Sequence, residues 1–521
     1  MRKLPLRDKA QGSKGRLSKA VQLPAPTKGW MVGENLAEAP PGTAYVLQNC
    51  FPRSDYVRIR RGSQAYATGM PNNTVATIMP WNNGTTSKMF AVCGGNIYDV
   101  SSTGAVGSAS YSGLSWNYLQ YVQFQGLGGS YLVACNGHDS VLQWNGSAWS
   151  VPAITGLTGQ IFSNVSVFKN RLYFVENNSL NIWYLPVNAI AGAATVFPMQ
   201  GVFKYGGYIV ASGTWAIDST SGIYEAFVAV SSEGEVVMYD GSDPSTWTLK
   251  GTYKVAKPLG TNCLQKAGGD LMVMTQDGII SMSQIQQLDQ IALQNIALTQ
   301  PIQPAWRDAV AARIGLLGWQ VTMWPTESMA VINLPKTSGT DKTQYVVNAR
   351  TGAWASYVGW DANCFAVYNN NLYFGSSDGR VMQGEIGSAD DGANYNAIIF
   401  YSFSSLNGDV THKQMKMIHP YCTNNMGYTL DVKVNVDFDI SLPNAPTASV
   451  PPAGGPVWNT SQWDKVNWTG ALQTQNYWQT VSGFGTLFAP ILQITLSTAS
   501  SFADIRLMRT DVLFEEAEII A

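Results

Sequence analysis

Chemistry needs histidines, cysteines, carboxylates or activated hydroxyls that converge, and this 521-residue chain is sparing with all of them. It has three histidines, His138, His412 and His419, none at i, i+4 from another and none in an HExxH. His138 lies in the turn CNGHDS and reads as an exposed turn residue. The six cysteines, Cys50, Cys93, Cys135, Cys263, Cys364 and Cys422, are widely scattered. No CxxC occurs, so they read as reduced, mostly buried thiols of a protein made in a cytosol. No GxSxG nucleophile elbow is present. The Gly-rich GLGGSY (126–131) lacks the Lys-Ser/Thr of a phosphate cradle and leads into a strand. No catalytic residue, metal site or cofactor is expected, and the chain reads as a non-enzyme.

Composition points to a wall rather than a catalyst. Charged residues make up 13% of the chain, about half the usual share, while Gly (50), Trp (17) and Tyr (24) are plentiful. Turn formers and aromatics with few charges suit an all-β protein with a polar, uncharged surface. No run of about 18 apolar residues predicts a membrane span, and the N-terminus carries charge without the apolar stretch of a secretory signal.

The net charge of −2 hides an asymmetry: residues 1–61 carry +8 and the remainder −10. The first 28 residues hold eight basic side chains and one Asp. This arm (Arg2, Lys3, Arg7, Lys9, Lys14, Arg16 and Lys19) could meet phosphates or an acidic protein groove, and its Pro, Gly and Ser content keeps it from folding alone. In YVRIRRG, alternation puts Arg58 and Arg60 on one face of a strand. That face is either a nucleic-acid-facing stripe or an ordinary exposed strand surface.

The elements that would position such residues announce themselves by repetition. VLQWNGSAWS (141–150) reads as a hairpin, with Asn145-Gly146 predicting a two-residue type I′ turn. Two related units, VVMYDGSDPSTWTLK (236–250) and YVVNARTGAWASY (345–357), also return on a Trp. Ahead of them recurs a strand–turn–strand unit: 88–100, 130–144, 170–185, 225–239, 270–282, 371–385 and a more irregular copy at 327–348. The base period lies in the low forties, with two longer gaps. A period of that length with several short strands per unit predicts a β-propeller, of six or seven blades, over residues 43–390. In this reading Trp149 is a packing residue of one blade's outer hairpin. The stretch 283–315, rich in Gln, Leu and Ala, predicts a helical insertion. Beyond 390 the repeat stops, and long alternating strands predict a C-terminal antiparallel sandwich or barrel over 391–521, with Leu430, Val432, Val434, Val436 and Phe438 on one face and a long surface loop over 441–485. Residues 1–42 read as an extended basic arm.

DGSDPSTW (240–247) and SSDGRVM (376–382) faintly resemble the Asp-box turns of sialidase-type propellers. Those enzymes gather three Arg around a substrate carboxylate. Here Arg350 and Arg380 fall in blade turns and Arg307 and Arg313 in the helical insertion, and the acidic residues sit mostly in turns, where they bond their own backbone.

A different resemblance runs through residues 40–521. AYVLQNCFPRSDYVRIRRGSQAYATG (44–69), the hairpin NLYFGSSDGRVMQGE, the strand GAWASYVGW, and the C-terminal KMIHPYCTNNMGYTLDVKVNVDFDI and RLMRTDVLFEE together resemble the tail nozzle, or tail tubular protein B, family of short-tailed bacteriophages. This resemblance implies a structural virion protein of the viral tail, synthesised in the host cytoplasm. It implies a hexameric ring that joins a tail adaptor, carries fibres or spikes, and gates double-stranded DNA ejection without sequence specificity. The basic arm lies outside the resemblance; it is expected to reach the adaptor. The competing expectation is a receptor- or glycan-binding propeller module, with a sialidase-like glycosidase behind it.

Overall fold

A computed structural model describes residues 18–33, 35, 39–219, 222–406, 411–424, 428–443, 473–475, 478–496 and 504–516. Seven consecutive antiparallel sheets follow one another along the chain, and each is a blade of a β-propeller. Their inner strands are Val75–Asn82, Gln120–Gly126, Phe162–Phe168, Ile209–Ser219, Leu264–Ala267, Gln320–Trp324 and Cys364–Tyr368. Each blade packs against the next and the seventh against the first, so the ring is closed. The repeated unit seen in the sequence is the second and third strand of each blade, as in Ser87–Cys93 with Asn96–Asp99 and Asn371–Gly375 with Val381–Gly384.

The seventh blade is completed from the other end of the chain. Its outer strand is Ser63–Thr68, paired antiparallel to Val381–Gly384, with Ala65 opposite Met382 and Gln64 opposite Gln383. The fifth blade has three strands, Leu264–Ala267, Asp270–Thr275 and Gly278–Ser281. The predicted insertion follows it as short helices at Met282–Ile285, Gln290–Ile296 and Gln303–Arg313. Ser281 caps the first of them, accepting from Gln284 N. These helices take the place of a fourth strand: Leu298 N donates to Ile279 O at 2.9 Å, closing the blade's open edge. Trp306, on the last helix, is fully buried, its indole N–H on Gln276 O.

The C-terminal strands form two sheets facing across one core, as the alternation predicted. One contains Ile505–Glu516, Lys413–Asn424 and Gln479–Gly485; the other contains Asn396–Tyr401, Phe488–Leu496 and Tyr428–Val436. Residues 43–62, predicted as propeller, belong here instead. Cys50–Pro52 and Val57–Ile59 join the first sheet and Ala44–Gln48 the second. The second sheet also runs on into the sixth blade through Gln48 and Ser356. A single buried cluster therefore spans Leu47, Phe51, Leu492 and Phe514 of the sandwich and Trp360 and Phe374 of the blades.

The arm is shorter than predicted. Ser18–Pro24 is an edge strand on Ile505–Glu516, and Lys19 pairs with Glu516 at 2.6 Å. Most of the loop expected over 441–485 lies outside the described residues, but 473–475 and 479–485 are strands. Phe438 leaves the predicted face as well. The strand stops at Val436, and Asp437 and Phe438 turn with φ of 47° and 68°.

The hairpin at 141–150 is the outer pair of the second blade, with Trp144 opposite Trp149. Its turn is not type I′, because only Gly146 has positive φ. Asn145 instead accepts from Ser147 N and Ala148 N through its side-chain oxygen, an Asx turn spanning Asn145–Ala148. Trp149 is buried against Phe90 of the first blade, at 5.2 Å between ring centroids, which makes it a packing residue. Among the described residues no helix is long and apolar enough to cross a membrane.

Candidate functional site

Two places in the molecule concentrate polar chemistry: the propeller axis and a buried joint between propeller and sandwich. The axis is lined where the inner strands begin. Gln120, Asn164, Ser212, Thr261, Asn262, Gln265 and Gln320 surround a cavity of about 260 Å³. None of its lining side chains bears a charge. The inner strands supply amides and hydroxyls here, and these knit neighbouring blades together. Gln320 donates to Phe365 O and accepts from Phe365 N, each at 2.9 Å, joining blades six and seven. Asn164 accepts from Ser212 N, and Ser166 and Ser212 share a hydroxyl contact at 2.8 Å, joining blades three and four. Gln120 donates to Thr261 Oγ1 at 3.0 Å. Such a lining can hold water or a neutral polar molecule; it offers no acid, base or cation for bond-breaking chemistry.

The arginines of the propeller stay off the axis. Arg171 pairs with Asp243, Arg313 with Asp341, and Arg380 with Asp378 and Asp391. The Asp-box-like turn has a local role, with Asp243 accepting from Ser245 N at 3.0 Å. No group of three or more potential metal ligands occurs among the described residues. All six cysteines are free and buried. Burial pushes the Cys263 and Cys364 thiols up to about 12. His138 is exposed, beside Trp116, as its turn suggested.

Arg58 and Arg60 present no basic stripe. They are 4% and 0% exposed, because the sandwich packs on one side of their strand and blades six and seven on the other. Arg58 reaches Glu327 at 3.1 Å and Glu385 at 3.0 Å. Tyr357 donates to the other Glu385 oxygen at 2.7 Å. Glu385 adopts a left-handed φ of 56°, unusual for its type, and its side chain is wholly enclosed. Arg60 satisfies all five of its N–H groups, on Asn49 Oδ1, Arg61 O, Val358 O and both Asp390 oxygens. Its guanidinium stands 3.9 Å from the Tyr395 ring centroid. Burial works against these charges, but the Glu385 and Asp390 carboxylates outweigh it and hold both guanidiniums above their ordinary value. The same burial, reinforced by the Glu385 carboxylate, lifts the Tyr357 phenol well above its usual range.

Of the residues picked out from the sequence, Arg58 and Arg60 are brought together as a structural joint and Lys19 sits on a strand edge. Arg2, Lys3, Arg7, Lys9, Lys14 and Arg16 lie outside the described residues. The axial glutamines and asparagines were not anticipated; their only sequence mark is an amide or hydroxyl within a few residues of the start of an inner strand.

No protein-family model matches the chain, and no curated protein does. Solved structures give distant likenesses. The computationally designed Ika8 protein matches at 12% identity over 62% of this chain and 100% of that one, with a TM-score of 0.37. YCF48 from Cyanidioschyzon merolae matches at 9% identity over 62% and 98%, with a TM-score of 0.34. A chain of the mitotic checkpoint complex matches at 12% identity over 68% and 98%, with a TM-score of 0.35. The assignment as a propeller rests on the seven sheets and the closing strand of this chain itself.

Proposed function

We propose that this protein is a structural subunit of a short viral tail: the nozzle, a ring of six copies that conducts and gates double-stranded DNA and holds fibres or spikes outside. One observation carries the reading. The separate stretches that resemble the nozzle family, 44–69, 352–360, 371–385, 416–440 and 506–516, all contribute strands to the sandwich or to blades six and seven, which share one buried cluster. A resemblance scattered along the sequence thus corresponds to a single physical unit. The uncharged axis and the arginines committed to structure fit a wall better than a catalyst. Gating in such a ring is a shift between two packings of its subunits. The basic segment before Ser18 starts from the sandwich edge and is the part suited to reach an acidic adaptor surface.

The test is the mass and symmetry of the purified protein, alone and with its adaptor. A six-fold ring with an axial opening is expected in electron micrographs. A protein that stays monomeric at tens of micromolar, with and without the adaptor, would refute the reading. Deleting residues 1–17 is expected to leave the fold intact and abolish adaptor binding. The second reading, a module that binds neutral glycans, draws on the amide-lined axis flanked by Tyr118 and Tyr121. It predicts saturable oligosaccharide binding that Gln320→Ala weakens.

A further inference from the structure

Neighbouring blades are normally sealed by large side chains. Between the first and second, Phe90, Trp144 and Trp149 fill the seam; between the third and fourth, Trp247 stacks on Tyr173 and Phe227. The seam between the fifth and sixth blades is different. It encloses a cavity of about 380 Å³ walled by Met272, Ile279, Met323, Ala330, Ile332 and Trp354. The fifth blade is one strand short, and small residues (Ala267, Ala330, Ala349) line the cavity beside Trp354.

We infer that this seam is a binding site for a compact, neutral, apolar molecule, an aromatic ring system or a short hydrocarbon, which supplies the plug that the chain itself lacks. Three features carry the inference. The volume lies within the roughly 300–1,000 Å³ of small-molecule pockets. The walls are mostly apolar: the Trp354 indole N–H is spent on Leu298 O, Asn348 is spent on Pro52 O and Arg350 N, and the Gln265 amide donates to Lys266 O. Water entering the seam would find few partners, whereas an apolar guest would recover the dispersion contacts the walls now miss. The cavity also has an entrance. Gly268 and Gly352 stand at its rim in the hairpin turns of the two blades, and a Cβ added at either would meet nothing within 4 Å. The two thioethers, Met272 and Met323, are adaptable and suit an aromatic guest. This inference is independent of the viral role proposed above.

The test uses full-length protein labelled at its methionine methyl groups, titrated with naphthalene and read by methyl NMR. Met272→Leu and Met323→Leu assign the two resonances. Saturable movement of both, with methionines elsewhere unmoved, is expected. Ala330→Phe fills the cavity and is expected to weaken binding by about tenfold or more; Ala330→Val, a smaller filling, keeps the comparison if the larger variant does not fold. Met272 and Met323 methyl groups that stay fixed at saturating naphthalene, or binding that Ala330→Val and Ala330→Phe leave unchanged, overturn the inference.

Discussion

Arg60 and Asp390 lie 330 positions apart and meet as an ion pair at 2.5 Å whose guanidinium is fully buried, the one just past the sandwich strand Val57–Ile59, the other from the segment just past the last blade. Trp360 donates its indole N–H to the same carboxylate at 3.0 Å, so the pair also holds a core ring in place.

Breaking this pair from one side is costly. Arg60→Ala leaves Asp390 without its counter-charge, takes a donor from Val358 O, and removes one of the two donors to Asn49 Oδ1, the other being Val358 N. A loss of about 3–5 kcal/mol is expected in chemical denaturation. The double variant Arg60→Met/Asp390→Leu is expected to recover part of that, because two desolvated charges leave together.

Two tryptophans of similar burial should respond differently to Phe. Trp149 is buried with its indole N–H unpartnered, so Trp149→Phe is expected to cost under about 1 kcal/mol or to stabilise. Trp306→Phe loses the bond to Gln276 O and is expected to cost about 1 kcal/mol more. Trp149→Ala, which leaves a void against Phe90, is expected to cost about 3–5 kcal/mol. Denaturant midpoints for the three variants check all three values.

Acid should loosen the seam between blades six and seven. Asp361 accepts from Ser377 N at 3.2 Å and is ion-paired with Lys336. Partial burial works against its charge, but the hydrogen bond and charge of Lys336 prevail and hold its carboxyl below the usual Asp value. A depressed folded value gives stability that is present above the unfolded pKa, about 3.9, and lost as pH falls through the folded one. Melting temperature is expected to drop below about pH 4. Asp361→Asn should lower it at pH 6 and flatten the acid limb; an unchanged acid limb would count against the role of this residue.

The thiols should be silent in the native state. Cys263 and Cys364 are buried and pushed up to about 12, and burial raises Cys93 as well. The thiolate is the reactive form. A chromogenic disulfide reagent is expected to react slowly with folded protein at pH 8 and to titrate all six cysteines once denaturant is added.

The blades were legible because each is local. A polar turn between two apolar runs states its own hairpin, and seven such statements at a base period in the low forties state a ring. The sandwich strand 428–436 was legible for the same reason, through alternation. What the sequence hid was long-range. Alternation put Arg58 and Arg60 on one face but said nothing of what covers it; Glu327, Glu385 and Asp390 arrive from about 270 to 330 residues away. Ser63–Thr68 looks like any short strand, and its place in the seventh blade is fixed only by the free edge of Val381–Gly384. The Asn145-Gly146 pair misled because Asn can serve a turn through its side chain as readily as through its backbone.

The closing strand also sets an order on synthesis. Ala67 pairs with Val381, so the strand Ser63–Thr68 must wait while more than 300 further residues are translated. At about 5–20 residues per second that is roughly 15–60 s with sheet edges unsatisfied. Six and a half blades exist before the circle can shut. The nascent chain should therefore lean on chaperones until the seventh blade has emerged, and a stop codon ahead of Cys364 should leave an aggregating arc rather than a smaller ring.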